Sequence, residues 1–473
     1  MKNLQVRDII EQCNGKLIIG NVNIECVDFC TDTRKIKKDD TYVGLKGEKF
    51  NGSEFYKTAL ELGAKVCILQ DVTIDEETLK KYNDRAIILV QDTLKALQSI
   101  AKYKRSLYNI PVIAITGSVG KTSTKDIIAS VVSTKYKTLK TEGNFNNHIG
   151  VPLTILRLKD EEAMVVEMGM SNLGEISLLT NIAKPTTAVI TNVGTAHIGN
   201  LGSRENILKA KLEILEGLAE NGTLIINNDN DMLHMWNEKN KKYKVMDFGI
   251  KNKSDIMPEN IELQANESKY DVKINDKYYD VIVPVGGEPF IYNSLCAICV
   301  GETLNIETEN IISGIKKFEL TKNRMEVSKV GSITIINDCY NANFDSMKAG
   351  IENLSKMKAN RKIAILGDML ELGEFSEKLH KAVGEEVAKN KIDILITVGT
   401  EEKNIAKEAE NCGMKKDKIF EFNSNNDVVN FVINNRKDED CILIKASNGM
   451  HFIEIVNELK IRNVFGKKLE TYR

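Results

Sequence analysis

A β-branched run, Val112 to Thr116, passes through Gly117-Ser118-Val119-Gly120 into Lys121-Thr122-Ser123 and a helix-compatible segment. No other stretch limits the fold and chemistry of this chain so tightly. A strand that turns through a glycine loop into a helix aims several backbone N–H groups and the helix N-terminus at one point. The Lys121 ammonium adds positive charge there, and the Thr122 hydroxyl is a hard oxygen suited to Mg²⁺. Residues Gly117 to Ser123 therefore read as a cradle for the phosphates of ATP. The strict P-loop spacing wants glycine where Ile115 stands. The match is a compact G-x-x-G-K-T variant, supported by its strand–loop–helix setting.

A chain of 473 residues is long enough for about three domains. Lys+Arg (65) nearly balances Asp+Glu (67), so no strong field favours nucleic acid or an anionic membrane. No apolar run approaches bilayer length, and the start, MKNLQVRDIIEQCNG, lacks the apolar core of a secretory signal. The nine cysteines, an odd number among apolar neighbours, read as reduced core residues of a cytoplasmic protein. Cys296 and Cys299 form a nominal C-x-x-C inside an apolar helical stretch, where core packing outweighs redox chemistry. A monomer without membrane insertion is expected.

The organisation is three α/β blocks in a row. Residues 1–108 mix short strands (Val66–Leu69, Ala86–Val90) with a helical period over Glu54–Leu62. Residues 109–317 place strands at Val112–Thr116, Ala163–Glu167, Thr187–Asn192 and Thr223–Asn227. Helical segments separate them, which predicts a mostly parallel sheet with crossover helices. Between Tyr243 and Val285 the pattern becomes a β-rich annex, ahead of a helix near Asn293–Leu304. Residues 318–473 alternate again, with strands at Ile333–Asn337, Lys362–Leu366, Asp393–Val398 and Cys441–Ala446, a Rossmann-like pattern.

Ligands of open α/β sheets gather beyond the carboxyl ends of the strands. The second central strand ends at Glu167, either a Mg²⁺ ligand complementing Thr122 or a capping carboxylate. The third leads through Asn192-Val193-Gly194-Thr195-Ala196 to His197, a member of the site or an ordinary hydrogen-bonding histidine. On a helical wheel from Ser203 to Leu218, Lys211 shares a face with Ile207, Leu208, Ile214, Leu215 and Leu218, while Lys209 points to solvent. Lys211 either snorkels or is a buried amine with a depressed pKa, open to modification.

Longer segments around these residues resemble a known family, the Mur ligases, ATP-dependent amide ligases of peptidoglycan synthesis. The resemblance runs from DTRKIKKDDTYVGLKGEKFNGSEF through TGSVGKTSTKD, EGNFNNHIGVPLT, EMGMSNLGEIS and NVGTAHIGNLGSRENILKAKLEI. It continues in KNRMEV, NDCYNANFDSM, LGDMLELGEFSEKLH and KASNGM. GNFNN-x-IGVP together with YNAN-x-x-SM resembles the dipeptide-adding member, and no DNPR-like signature of the member adding the third amino acid is present.

The resemblance implies an enzyme that joins D-alanyl-D-alanine to UDP-N-acetylmuramoyl-tripeptide through an acyl phosphate. It implies that Lys211 is carbamylated by CO₂ and holds a second Mg²⁺ with His197, while Thr122 and Glu167 hold the first and Lys121 meets the β- and γ-phosphates. Asn293 and Asp338 would meet adenine and ribose, and Arg324 the terminal phosphate. Asp32, Thr33, Arg34, Gly47 and Phe50 fall in motifs for the UDP end. Asn144, Asn146 and Asn147 face the muramoyl side, and Tyr340, Asn341, Asn343, Lys445 and Ser447 lie in third-domain motifs that close on the site. The chain departs from the family pattern at His148 (usually acidic), at Pro289 and Phe290 (usually His-Asn), at Phe344 (usually proline) and at Asn448 (often arginine). The rival readings are a folylpolyglutamate synthase-like ligase, a Mur ligase adding one amino acid, a nucleotide-gated binding protein and a plain P-loop phosphotransferase. The first lacks a domain like residues 1–108. The last two leave Lys211, His197 and Glu167, or the third domain, without a purpose.

Overall fold

Alternation along the first central strand decides how the middle of the molecule is layered. In Val112–Thr116 the side chains of Ile113 and Ile115 face one side of the sheet and those of Val112 and Ala114 the other. Ile113 and Ile115 pack on Ile127 and Val131 of helix Lys121–Val132 and on Leu295 and Cys299 of helix Glu288–Thr303. Val112 and Ala114 join a second cluster with Leu97 and Ile100 of Thr93–Ser106 and with Val151 and Ile176. That cluster extends to Val66 and Ile68 of the first block and to Leu366 and Leu372 of the third. The three blocks therefore share core, in which each fully buried Val, Leu or Ile contributes roughly 1.5–3 kcal/mol by leaving water.

The computed structural model describes residues 3–264 and 266–470. The central sheet has six strands in the order Lys244–Phe248, Thr223–Asn227, Thr187–Ile190, Val112–Thr116, Ala163–Glu167, Thr138–Lys140, every pair parallel. From Val112–Thr116 the chain builds one side of the sheet first and then crosses to the other. The strand order therefore reverses at Thr116, and the crevice where such sheets bind ligands opens there. The first block is a six-stranded sheet whose four inner strands, Glu25–Cys30, Asp40–Val43, Val66–Leu69 and Ala86–Leu89, run parallel, with antiparallel edges. In the third, Glu326–Val330 pairs antiparallel to Ile333–Asn337. The remaining strands continue in parallel: Asp440–Lys445, Arg361–Gly367, Ile394–Val398 and Ile419–Phe422.

The strand expected over Thr187–Asn192 ends at Ile190, the helical period over Glu54–Leu62 is 3₁₀ up to Phe55 and α-helical over Tyr56–Glu61, and three further elements differ from the sequence expectation. Lys244–Phe248 is the sixth parallel strand of the central sheet, and only Pro258–Leu263, Ser268–Ile274 and Lys277–Val283 make the separate antiparallel annex. The helix expected near Asn293 starts at Glu288 after Gly287, because Pro289 sits in its first turn, where a missing N–H costs nothing. The helix expected over Ser203–Leu218 is α-helical only across Arg204–Leu212 and tightens to 3₁₀ over Glu213–Glu216. There the neighbouring helix takes over its end: Thr180 Oγ1 donates to the Ile214 carbonyl at 2.9 Å, and Glu213 accepts from Gly174 N–H and Ser177 N–H. The Cys296 and Cys299 side chains are fully buried free thiols, as core packing requires. Among the described residues no helix is long and apolar enough to cross a membrane.

Candidate active site

The phosphate loop leaves Thr116 and reaches its helix at Gly120, whose backbone is left-handed (φ 83°) and which adds no side-chain cap. The first N–H groups of helix Lys121–Val132 have no partner within the helix and face the crevice as anion donors. Lys121 reaches back to donate to the Gly117 carbonyl at 2.7 Å, and burial lowers its pKa against the opposing pull of Glu167. The N–H groups of Ser118 and Val119 are directed elsewhere. Both donate to Asn192 Oδ1, at 3.0 and 2.9 Å, while Gly194 N–H donates to Ser118 Oγ at 2.9 Å. Asn192 thus braces the loop from the end of the neighbouring strand. Sequence reasoning gave it no role, because its partner lies more than seventy residues away.

Glu167 closes the next strand with its side chain buried (2% exposed). Thr122 Oγ1 donates to its Oε2 at 2.9 Å and Asn146 Nδ2 to its Oε1 at 2.7 Å, so both oxygens are aimed. Asn147 instead accepts from Ile149 and Gly150 N–H just ahead of helix Gly150–Leu156. Asn144, Asn146 and Asn147 all line the same cavity as the phosphate loop.

His197 also lines that cavity, with a left-handed backbone (φ 62°) and its Nδ1 2.9 Å from Glu371 Oε2. Burial lowers its pKa, helped by Lys121 and Lys211 and opposed by Glu371. Lys211 is 1% exposed and makes no hydrogen bond or ion pair with any described residue. Burial, reinforced by the Lys121 charge, pushes its pKa well below the lysine range. This is the buried amine of the two sequence alternatives rather than the snorkelling one.

The opposite wall of the cavity, which has a volume of about 370 Å³, comes from the third block. Arg324 stacks its guanidinium 4.0 Å from the Tyr340 ring centre, and its buried Nε has no partner. Lys445 is 1% exposed and donates to Asp338 Oδ2 at 2.6 Å and to the Asn341 carbonyl at 3.0 Å, so it ties the 338–341 turn together. Asn343 caps helix Phe344–Lys356 through Ser346 N–H. Phe344 therefore occupies the first helical position, where a proline would also fit. Asn293, from helix Glu288–Thr303, accepts from Thr124 Oγ1 at 3.0 Å and faces the cavity beside Pro289 and Phe290.

Not every expected residue reaches this cavity. Gly117, Lys211 and Ser447 lie behind its wall; Ser447 Oγ accepts from Leu370 N–H and donates to the Ala342 carbonyl. Asp32, Thr33, Arg34, Gly47 and Phe50 belong to the first block and are absent from the lining. Arg34 pairs with Asp32, holding that carboxyl down at about 2, and Phe50 is 62% exposed against Phe55. His148 and Asn448 are also outside the lining, although Gln98 Nε2 of the first block donates to the His148 carbonyl.

Residues 29–105 match the catalytic-domain description of the Mur ligase family, 115–301 the Mur ligase middle domain, and 323–448 the Mur ligase glutamate ligase domain. A UDP-N-acetylmuramoyl-tripeptide–D-alanyl-D-alanine ligase of Bacillus subtilis is 39% identical over 96% of this chain and 98% of its own. The chain belongs to the Mur ligase family. A similarly named ligase of Escherichia coli is 33% identical over 84% of this chain and 85% of its own. Among solved structures, MurF from Acinetobacter baumannii superposes with a TM-score of 0.87 at 28% identity, covering 97% of this chain and 99% of that one. MurF ligase from Thermotoga maritima in complex with ADP gives 0.81 at 27% identity, covering 92% and 98%.

A Mur ligase needs a place for Mg²⁺, and the donors here fit a metal shared with substrate. Among the described residues no group of three or more His, Cys, Asp or Glu could hold a metal by itself. The Thr122 hydroxyl and the buried Glu167 carboxylate make a hard-oxygen half-site beside the phosphate donors, suited to Mg²⁺ completed by phosphate oxygens and water. The unpartnered Lys211 amine fits conversion to an anion by CO₂.

Proposed function

We propose that this Mur ligase joins the amine of D-alanyl-D-alanine to the terminal carboxylate of UDP-N-acetylmuramoyl-tripeptide, with ATP converted to ADP and phosphate, in peptidoglycan precursor synthesis. The observation that carries the reading is one cavity with the phosphate loop and Glu167 on one wall and Arg324, Asp338 and Tyr340–Asn343 on the other.

A carboxylate and an amine at neutral pH form a salt, so the acid must be activated. Its oxygen attacks the γ-phosphorus, ADP leaves, and the product is an acyl phosphate. The dipeptide amine then attacks the acyl carbon, loses a proton, and phosphate departs from the tetrahedral intermediate. Both partners of the first step are anionic. Lys121 and the helix N-terminus would hold the β- and γ-phosphates, with Arg324 on the terminal one. Thr122 and Glu167 would hold one Mg²⁺, and His197 with carbamylated Lys211 a second; when bound, the ions offset phosphate charge. Asn293 and Asp338 would meet adenosine.

Residues 1–108 would take the UDP end through Asp32, Thr33, Arg34, Gly47 and Phe50, residues 109–317 the ATP, and residues 318–473 the dipeptide. Asn144, Asn146 and Asn147 would meet the muramoyl peptide. Lys445, held by the Asp338 carboxylate and the Asn341 carbonyl, and Ser447, bonded to the Ala342 carbonyl, would act by shaping the turn that presents Tyr340, Asn341 and Asn343. We place the protein in the cytoplasm as a monomer.

The test supplies Mg-ATP with each substrate alone and with both, and follows phosphate and product mass. Phosphate release and a UDP-linked pentapeptide only when both are present is the expected result. No release with either lysine- or diaminopimelate-containing tripeptide would overturn the assignment.

A further inference from the structure

The turn that carries His197 is held at both ends by the third domain. At its start, Asp345 Oδ2 accepts from Thr195 N–H at 2.8 Å and from Thr195 Oγ1 at 3.0 Å. Gly194 lies so close that a Cβ there would sit 2.2 Å from the same oxygen. At its end, a Cβ on Gly199 would fall 2.6 Å from the Glu371 carbonyl and 2.7 Å from the Leu372 carbonyl carbon. Between them, Glu371 accepts from His197 Nδ1 at 2.9 Å. Two glycines without side chains and two carboxylates thus meet across the domain boundary over six residues.

Both carboxylates are presented by braced backbone. Asp345 sits in the first turn of helix Phe344–Lys356, where an acidic residue is favoured and where Asn343 caps the end. Glu371 is itself left-handed (φ 65°), a conformation that costs a non-glycine residue and must be held by its surroundings. Its loop is held on one side by the buried His380, whose Nε2 accepts from Met369 N–H at 3.0 Å, and by Ser447 Oγ accepting from Leu370 N–H at 2.9 Å. An ionised carboxylate can only accept, so the His197 proton facing Glu371 must be on Nδ1, and the lone pair of a neutral ring is on Nε2. Glu371 is 61% exposed, and such a pair fastens little by itself. Asp345, with two donors on one oxygen, is the fastener, and Glu371 the director of the ring.

We propose that Asp345 and Glu371 clasp the Gly194–Gly199 turn as the third domain closes, and that this clasp sets the tautomer and direction of the His197 ring. The proposal rests on the functional reading above only in what the ring then serves: closure would complete the metal-holding face of the site at the same moment as it brings the dipeptide wall into place. Asp345 and Glu371 are positioning residues, acting through His197 and touching no substrate.

The test uses the full-length protein free of metal and nucleotide. With five histidines in the chain, ring ¹⁵N resonances can be assigned by comparison with His197→Asn. Wild type is expected to show His197 as the Nδ1–H tautomer. Asp345→Ala and Glu371→Ala are expected to move it toward Nε2–H. In Asp345→Ala, amide exchange across residues 193–199 should rise about tenfold or more while strand Val66–Leu69 stays unchanged. The turnover number of both alanine variants should fall about tenfold with less change in KM for the UDP-substrate, and Asp345→Asn, which keeps an acceptor, should recover part of it. Unchanged tautomer and exchange in both alanine variants would overturn the clasp, as would a turnover loss with the tautomer intact. Wild-type protein that makes no pentapeptide would sink the functional reading alone, because tautomer and exchange are read without substrate.

Discussion

Lys211→Ala lowers the turnover number on the order of 10³-fold, the scale on which removing charge stabilisation at a phosphoryl-transfer centre acts. The reason lies in where this amine sits. It is 1% exposed, has no hydrogen-bond or ion-pair partner among the described residues, and burial, reinforced by the Lys121 charge, holds its pKa well below the lysine range. A buried cation beside Lys121, the lysine proposed to hold the phosphates, would only add repulsion there. A neutral amine can attack CO₂, lose its proton and become a carbamate, which converts a repelling group into an anionic oxygen donor. Only the unprotonated amine reacts. Loading therefore falls as pH drops through the Lys211 pKa, and the lowered pKa moves that loss to lower pH than for an ordinary lysine. Wild-type enzyme held in CO₂-free buffer should lose activity and regain it with bicarbonate. Short carboxylates should partly rescue Lys211→Ala, whose folding is checked by its thermal melt. A near-wild-type rate in the variant without bicarbonate or rescuer contradicts the carbamate.

Glu167→Gln should cut turnover by about 10²-fold and raise the Mg²⁺ concentration needed for half-maximal rate by at least about tenfold. The substitution keeps volume and one acceptor for the Thr122 hydroxyl. It removes the negative charge and sets an NH₂ donor against the Asn146 amide, which now donates to Glu167 Oε1 at 2.7 Å. If Glu167 were only a capping carboxylate, the Mg²⁺ titration would be unchanged and the loss would appear in stability alone. A melt and a Mg²⁺ titration on the same preparation separate the two cases.

What could be read from the sequence follows the range of the interactions that decide it. The strands Val112–Thr116, Ala163–Glu167 and Thr223–Asn227 have the bounds their apolar runs suggest, because a buried parallel strand needs a continuous hydrophobic run. The phosphate loop is equally local. Lys244–Phe248 was legible as a strand but not as part of the central sheet, since pairing with Thr223–Asn227 is a tertiary choice. The tightening of the Lys211 helix at Glu213 depends on Thr180, on another helix.

The site divides in the same way. Thr122, Glu167 and His197 stand at strand ends and loop starts that periodicity marks, and Lys211 is betrayed by its place in an apolar stripe. Asn192, Asp345 and Glu371 leave no such trace. Each acts across seventy or more residues through a polar contact, and a lone Asn, Asp or Glu in a polar stretch looks like any solvated residue. The spacing of the glycines at 194 and 199 was the available signal, because it marks backbone that something else must approach closely.

On this reading the cavity between the phosphate loop and the third domain performs amide formation by way of an acyl phosphate. The most direct measurement supplies UDP-N-acetylmuramoyl-tripeptide labelled with ¹⁸O in its terminal carboxylate, together with D-alanyl-D-alanine and Mg-ATP, and weighs the released phosphate. One labelled oxygen in each phosphate, matched by one UDP-linked pentapeptide, is the predicted result. Unlabelled phosphate, or phosphate released without pentapeptide, would contradict the account.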